Sequence, residues 1–159
     1  MSSCTGPIRS SDRGHMIKRW GVLLAVFVLL GPGLSKAQDI RDGFSRTTQE
    51  DGSVYEGHFQ DGLFDGQGVL TFPNGDRYEG EFSVGKYDGK GKLDYADGRQ
   101  YIGEFRSGLY DGKGVLVYTD GSKYEGEFLE GALNGRGVLT YPDGSVYKGK
   151  FRDGDFEHN

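Results

Sequence analysis

Five tyrosines, Tyr55, Tyr78, Tyr101, Tyr124 and Tyr147, stand 23 residues apart, and that spacing constrains the chain more than any other feature. A fixed period in this range marks a repeat architecture, whose units cannot bury a core alone and must stack on their neighbours. The units read YEGHFQDGLFDGQGVLTFPNGDR (55–77), YEGEFSVGKYDGKGKLDYADGRQ (78–100), YIGEFRSGLYDGKGVLVYTDGSK (101–123) and YEGEFLEGALNGRGVLTYPDGSV (124–146). A partial fifth, YKGKFRDGDFEHN, occupies 147–159. Glycine keeps the same period, and 22 of the 29 glycines fall in five columns of these units. Only four prolines, and no glycine at every third position, exclude collagen. Ten tyrosines and ten phenylalanines oppose disorder, because nearly all of them fall at regular intervals.

Each unit reads as a β-hairpin. Tyr78, Gly80 and Phe82 alternate with Glu79 and Glu81, a period of two that puts the first three on one face. A glycine-rich connection through Gly85 and Gly89 is expected next, carrying Tyr87. A second alternating strand then sets Gly91, Leu93 and Tyr95 together, and Ala96-Asp97-Gly98 turns into the next unit. Turn chemistry is sharper in Phe72-Pro73-Asn74-Gly75 and Tyr141-Pro142-Asp143-Gly144, where proline presets φ and glycine takes the left-handed position. The glycines between the rings (Gly57, Gly80, Gly103, Gly126 and Gly149) face the same way as Phe59, Phe82, Phe105, Phe128 and Phe151. Glycine weakens a strand, so its repetition implies a packing need: room for an aromatic from a neighbouring strand. Tyrosine and phenylalanine then supply most of the buried area.

Tyr-Glu-Gly-Glu-Phe, then Gly-x-x-x-Gly-x-Gly-x-Leu, then aromatic-x-x-Asp-Gly-x-x-Tyr, resembles the MORN repeat, four times and a half over Tyr55–Asn159. The resemblance implies an all-β fold, an elongated single-layer antiparallel array of stacked hairpins with an aromatic-lined groove. With ~4.8 Å between strands, such an array is on the order of 40–45 Å long. Residues 38–54 hold the register only at Asp51-Gly52, and are expected to be a flexible arm or N-terminal cap.

The first 37 residues are of another kind. From Met16, the expected start, Lys18-Arg19 give a basic opening, Gly21–Leu30 an apolar run, and Gly31-Pro32-Gly33 a breaker. Ser35 and Ala37 place small residues for cleavage before Gln38. These are the parts of a secretory signal peptide, and the run is about half of the ~20 residues that cross a bilayer. Export to a periplasm or the cell exterior is therefore expected. Residues 38–159 carry 14 Lys and Arg against 23 Asp and Glu, a net charge of −9, with no cysteine. That balance opposes nucleic-acid binding and disfavours anionic membranes.

No catalytic, cofactor or metal site is expected. Within 38–159 the histidines are His58 and His158, a hundred residues apart, which opposes zinc. Gly89-Lys90-Gly91-Lys92 leads into a strand, so it lacks the helix N-terminus that cradles phosphate. Glutamates recur at 56, 79 and 125 and at 81, 104 and 127, and aspartates at 65, 88 and 111, whereas catalysis needs one distinguished site. They read as a wetted outer face. Ile102 and Lys92 break that face's pattern, as a partner contact would require. Tyr87, Tyr95, Tyr110, Tyr118 and Tyr141 are the candidate groove residues, because one layer cannot bury every ring. The expected function is a non-enzymatic scaffold or adaptor that holds a protein partner. Phospholipid or membrane-surface binding and glycan or cell-wall binding are the alternatives, and an open sheet end could pair in a homodimer. The resemblance extends to repeats that accompany phosphatidylinositol phosphate kinase and histone methyltransferase domains, but no catalytic domain is expected in this chain.

Overall fold

A computed structural model describes residues 42–157, so the expected signal peptide, its cleavage site and His158 lie outside the described residues. The described residues form eleven strands: β1 (Gly43–Thr48), β2 (Val54–Gln60), β3 (Leu63–Thr71), β4 (Arg77–Ser83), β5 (Lys86–Asp94), β6 (Gln100–Arg106), β7 (Leu109–Val117), β8 (Lys123–Leu129), β9 (Ala132–Thr140), β10 (Val146–Arg152) and β11 (Asp155–Phe156). They lie in one antiparallel sheet in strict sequence order. Tyr78 pairs with Leu93 and Gly80 with Gly91, and the same columns pair in every complete unit.

The second strand starts earlier than the glycine pattern predicts. Val84 and Gly85 alone make the connection, with φ of +49° and +76°. Positive φ at both central residues is the two-residue turn whose twist matches a hairpin. Asp61-Gly62, Ser107-Gly108, Glu130-Gly131 and Asp153-Gly154 make the same turn. Asp65 Oδ2 accepts the Val84 N–H at 3.3 Å and Asp88 Oδ2 the Ser107 N–H at 3.1 Å, tying each turn to the preceding hairpin. The slack expected of a long connection is instead a bulge. From Gly80 to Phe82 on β4, the partner strand advances from Gly91 to Tyr87, four residues against two. Tyr87 is thereby returned to the aromatic face opposite Phe82, inside a strand rather than in a connection.

Asp51-Gly52-Ser53 and Ala96-Asp97-Gly98 turn as the sequence predicts: Gly98 N–H donates to Tyr95 O at 3.0 Å, and Gly52 N–H to Gln49 O at 3.0 Å. The segment read as an arm or cap supplies a strand from Gly43, and β1 pairs with β2 from Gly43↔Phe59 to Thr48↔Val54. It is the second strand of a preceding half-unit: Asp42-Gly43 stand 23 residues before Asp65-Gly66, and Asp42 Oδ1 accepts the Asp61 N–H at 2.9 Å. At the other end, β11 covers only Phe151 and Arg152 of β10.

Val84 is branched at Cβ, sits at positive φ and is 66% exposed. A β-branched residue pays conformational strain there that asparagine largely avoids. Val84→Asn is expected to stabilise the fold by about 1 kcal/mol, read as a higher urea midpoint at unchanged m-value; a lower midpoint contradicts the turn assignment.

Candidate interaction surface

The aromatic face builds its own cover. Tyr78 lies over the Gly80–Gly91 pair: a Cβ on Gly80 would sit 2.5 Å from Gly91 Cα and 2.7 Å from the Tyr78 hydroxyl. The ring over Gly80 thus comes from its own strand, and only for Gly91 is it a neighbour's. The hydroxyl reaches past the pair to donate to Glu81 O at 2.8 Å. Tyr55, Tyr101 and Tyr124 repeat the bond to His58 O, Glu104 O and Glu127 O. Tyr87 stacks on Tyr78 with centroids 3.7 Å apart, as Phe64 does on Tyr55 and Tyr110 on Tyr101. Phenylalanines join the units edge to face, Tyr78 meeting Phe105 at 5.1 Å and Tyr101 meeting Phe128 at 5.0 Å. Four of these tyrosines, at 55, 78, 101 and 124, are fully buried in a sheet that has no second layer among the described residues.

That packing separates the five candidate residues. Tyr87 belongs to the core, at 2% exposure, and cannot line a groove. Its hydroxyl has no hydrogen-bond partner among the described residues. One unit on, the equivalent Tyr110 hydroxyl bonds to that of Tyr95; one unit back from Tyr95 stands Phe72, which has no hydroxyl. Tyr95, Tyr110, Tyr118 and Tyr141 are half-buried and pack on the core cluster, as does Phe72. Phe72, Tyr95, Tyr118 and Tyr141 each follow a second strand, so they form one row beside the turns, with about 10 Å between successive rings. Arg99 lies over the Tyr95 ring at 4.3 Å and pairs with Asp97 at 2.8 Å, so an ion pair stands beside that ring.

The second glutamate column does more than wet a face. Glu81 Oε1 accepts the Lys90 N–H and Glu127 Oε2 the Arg136 N–H, each at 3.0 Å, closing the bulges beside Gly89 and Gly135. In the first unit His58 stands in that column, its Nδ1 3.2 Å from Gln67 O. Sequence reasoning missed this role; the signal was each glutamate's fixed nine-residue offset from the residue between two glycines. No group of three or more His, Cys, Asp or Glu among the described residues is placed to hold a metal ion.

An open, one-layer array of hairpins with a ring ladder on one face defines a class of repeat protein. The MORN repeat model matches residues 55–77, 78–98, 101–123 and 124–146, more than half of the chain, which therefore belongs to the MORN repeat family. MORN repeats are interaction modules for proteins or membranes. Among solved structures, the chain is similar to the TCP domain of Drosophila melanogaster SAS-4 (dCPAP), solved with a proline-rich motif of Ana2 (dSTIL). Identity is 21% and the TM-score 0.42, over 71% of this chain and 62% of that one, so the chain spans less than two thirds of that domain's length.

Burial pushes the ladder phenols up, Tyr55 and Tyr124 to about 12, and Tyr78, Tyr87, Tyr101 and Tyr110 further still. Their folded values lie above the ordinary 10, so the unfolded chain loses these protons first and stability falls as pH rises through and beyond 10. The slope reaches up to roughly 1.4 kcal/mol per pH unit for each such tyrosine. Tyrosinate absorbance and loss of strand circular dichroism are therefore expected to appear together in one steep alkaline step. Ionisation of most tyrosines near pH 10 with the sheet intact would contradict the burial.

Proposed function

We propose that the protein is a non-enzymatic, exported scaffold that holds a protein partner along the row Phe72, Tyr95, Tyr118 and Tyr141. The observation that carries this reading is the half-burial of these four rings in one row, beside a ladder whose tyrosines at 55, 78, 87, 101 and 124 are buried. Tyrosine at a contact surface offers a broad apolar face at little entropic cost and a hydroxyl for orientation. Rings repeated at two-strand intervals suit an extended ligand better than a compact one. Export follows from the signal-like residues 16–37. The net charge of −9 on residues 38–159 favours a protein over an anionic membrane surface.

Cross-linked capture from an envelope extract, with the chain and its Tyr118→Ala/Tyr141→Ala variant side by side, tests the proposal. One discrete protein is expected, recovered by the parent chain and lost with the variant, while neither floats with phosphatidylglycerol vesicles. Flotation of both, without a captured protein, would transfer the role to membrane-surface binding. Both rings are partly exposed, so their removal leaves the ladder standing.

A further inference from the structure

The face opposite the rings carries a second surface, and its departures from the repeat are concentrated at its centre. Across the sheet, one row reads Glu56, Val69, Glu79, Lys92, Ile102, Val115, Glu125, Val138 and Lys148, by direct strand pairing from β2 to β10. First strands place a charge in this row and second strands a valine, except at Lys92 and Ile102, where the two are exchanged. The exchange sets Ile102, 48% exposed, directly against Val115, with Val117 two residues along the same strand face. A lone exposed isoleucine needs no explanation. This one stands in an apolar cluster with an ion pair on each side, half-buried on β5 and exposed on β8. Lys92 Nζ pairs with Asp94 at 2.9 Å on β5, and Lys123 Nζ with Glu125 at 3.2 Å on β8.

These two pairs have opposite order along the strand direction. Lys92 and Glu125 share the central row, and Asp94 and Lys123 share the row beside it, which runs through Gln100 and Val117. A two-fold axis parallel to the strands, midway between β6 and β7, exchanges β6 with β7 and β5 with β8. It lays Ile102 on Val115 of a second copy, Lys92 on its Glu125 and Asp94 on its Lys123. Each ion pair then becomes a quartet of alternating charge, and two quartets flank the apolar centre. Self-complementarity about a two-fold is what an isologous interface requires.

We propose that two copies of this chain associate back to back through this face, centred on Ile102 and Val115. Aligned sheets pack about 10 Å apart, and because each sheet twists, matching is best at the axis and fades outward. Six strands, β4 to β9, by three rows of side chains give roughly 600 Å² per copy, or about 1,200 Å² in all, the lower limit for specific association. The dimer is accordingly weak, with a dissociation constant in the micromolar range. Both ring faces stay outward, so a dimer presents two copies of the row proposed above and gains avidity for a repeating partner. Pairing at the sheet edges fits less well. β1 added to β10 in the repeat register sets Arg46 against Lys148, and puts Ser45 where the Tyr147 ring requires glycine.

Sedimentation velocity of the full chain from about 1 µM to about 1 mM reads the association directly. A monomer–dimer equilibrium is expected, weakened at least tenfold by Ile102→Glu, the residue that Glu56, Glu79 and Glu125 place in the same column without harm to the sheet. Lys92→Glu and Glu125→Lys should each weaken the dimer, and the double variant Lys92→Glu/Glu125→Lys should restore it, because both quartets then oppose two carboxylates to two ammonium groups. Circular dichroism confirms that each variant is folded. A chain that stays monomeric throughout, association unmoved by Ile102→Glu, or charge variants whose losses simply add would overturn the proposal. Association through residues 1–37 or through the sheet edges falls under the second outcome.

Discussion

Everything in this sheet rests on a tyrosine ring lying across two paired glycines. A one-layer sheet has no opposing layer to bury its face, and burial is the dominant favourable term in folding. The chain solves this by turning its rings down onto the strands. Gly80 and Gly91 leave a floor of bare backbone, Tyr78 covers it, and its hydroxyl is held by Glu81 O beyond the pair. A side chain on either glycine would lift the ring. With the ring down, Tyr87 can stack above it and Phe105 can close its edge, so tyrosines become fully buried with no second layer. The glycines weaken each strand and the ladder offsets that loss.

The same constraint fixes what is left for function. The buried rings of the ladder are unavailable, and the row beyond the glycine floor, beside the turns, keeps an exposed flank. The opposite face carries no ring ladder, and apart from the glutamates that close the bulges its side chains meet only neighbours on their own or adjacent strands. Sequence there can change without unfolding the protein, so a cluster such as Ile102, Val115 and Val117 has room to arise and be kept. Two faces with separate duties, one held by packing and one open to variation, suit a module whose role is contact.

Where the chain repeats, its sequence was legible: the 23-residue period gave the sheet, the strand pairing and the turns at Gly98 and its equivalents. Reading failed where two glycines did different jobs in similar surroundings. Gly85 and Gly89 look like one loose connection, yet Gly85 completes a two-residue turn and Gly89 opens a bulge four residues on. Nothing local marks Val84 as a turn residue, because its positive φ is imposed by the strands it joins; only Asp61-Gly62 and Asp153-Gly154 carry the usual turn signal. Tyr87 was misplaced for the same reason, since a ring in a loop and a ring after a bulge read alike. β1 was hidden because Ser45 and Thr47 replace the repeat's glycine and leucine, so that only Asp42-Gly43 before the strand and Asp51-Gly52 after it betray the register.

The ring-on-glycine account is tested most directly by a double-mutant cycle between Tyr101→Leu and Gly114→Ala, followed by urea unfolding. With the ring in place the added methyl has no room; with leucine in its stead the methyl loses its principal obstacle. The account predicts that the double variant is more stable than the sum of the single losses by about 1–3 kcal/mol. Additivity within about 0.5 kcal/mol would mean that the glycine serves the backbone alone, and that the ring does not depend on it.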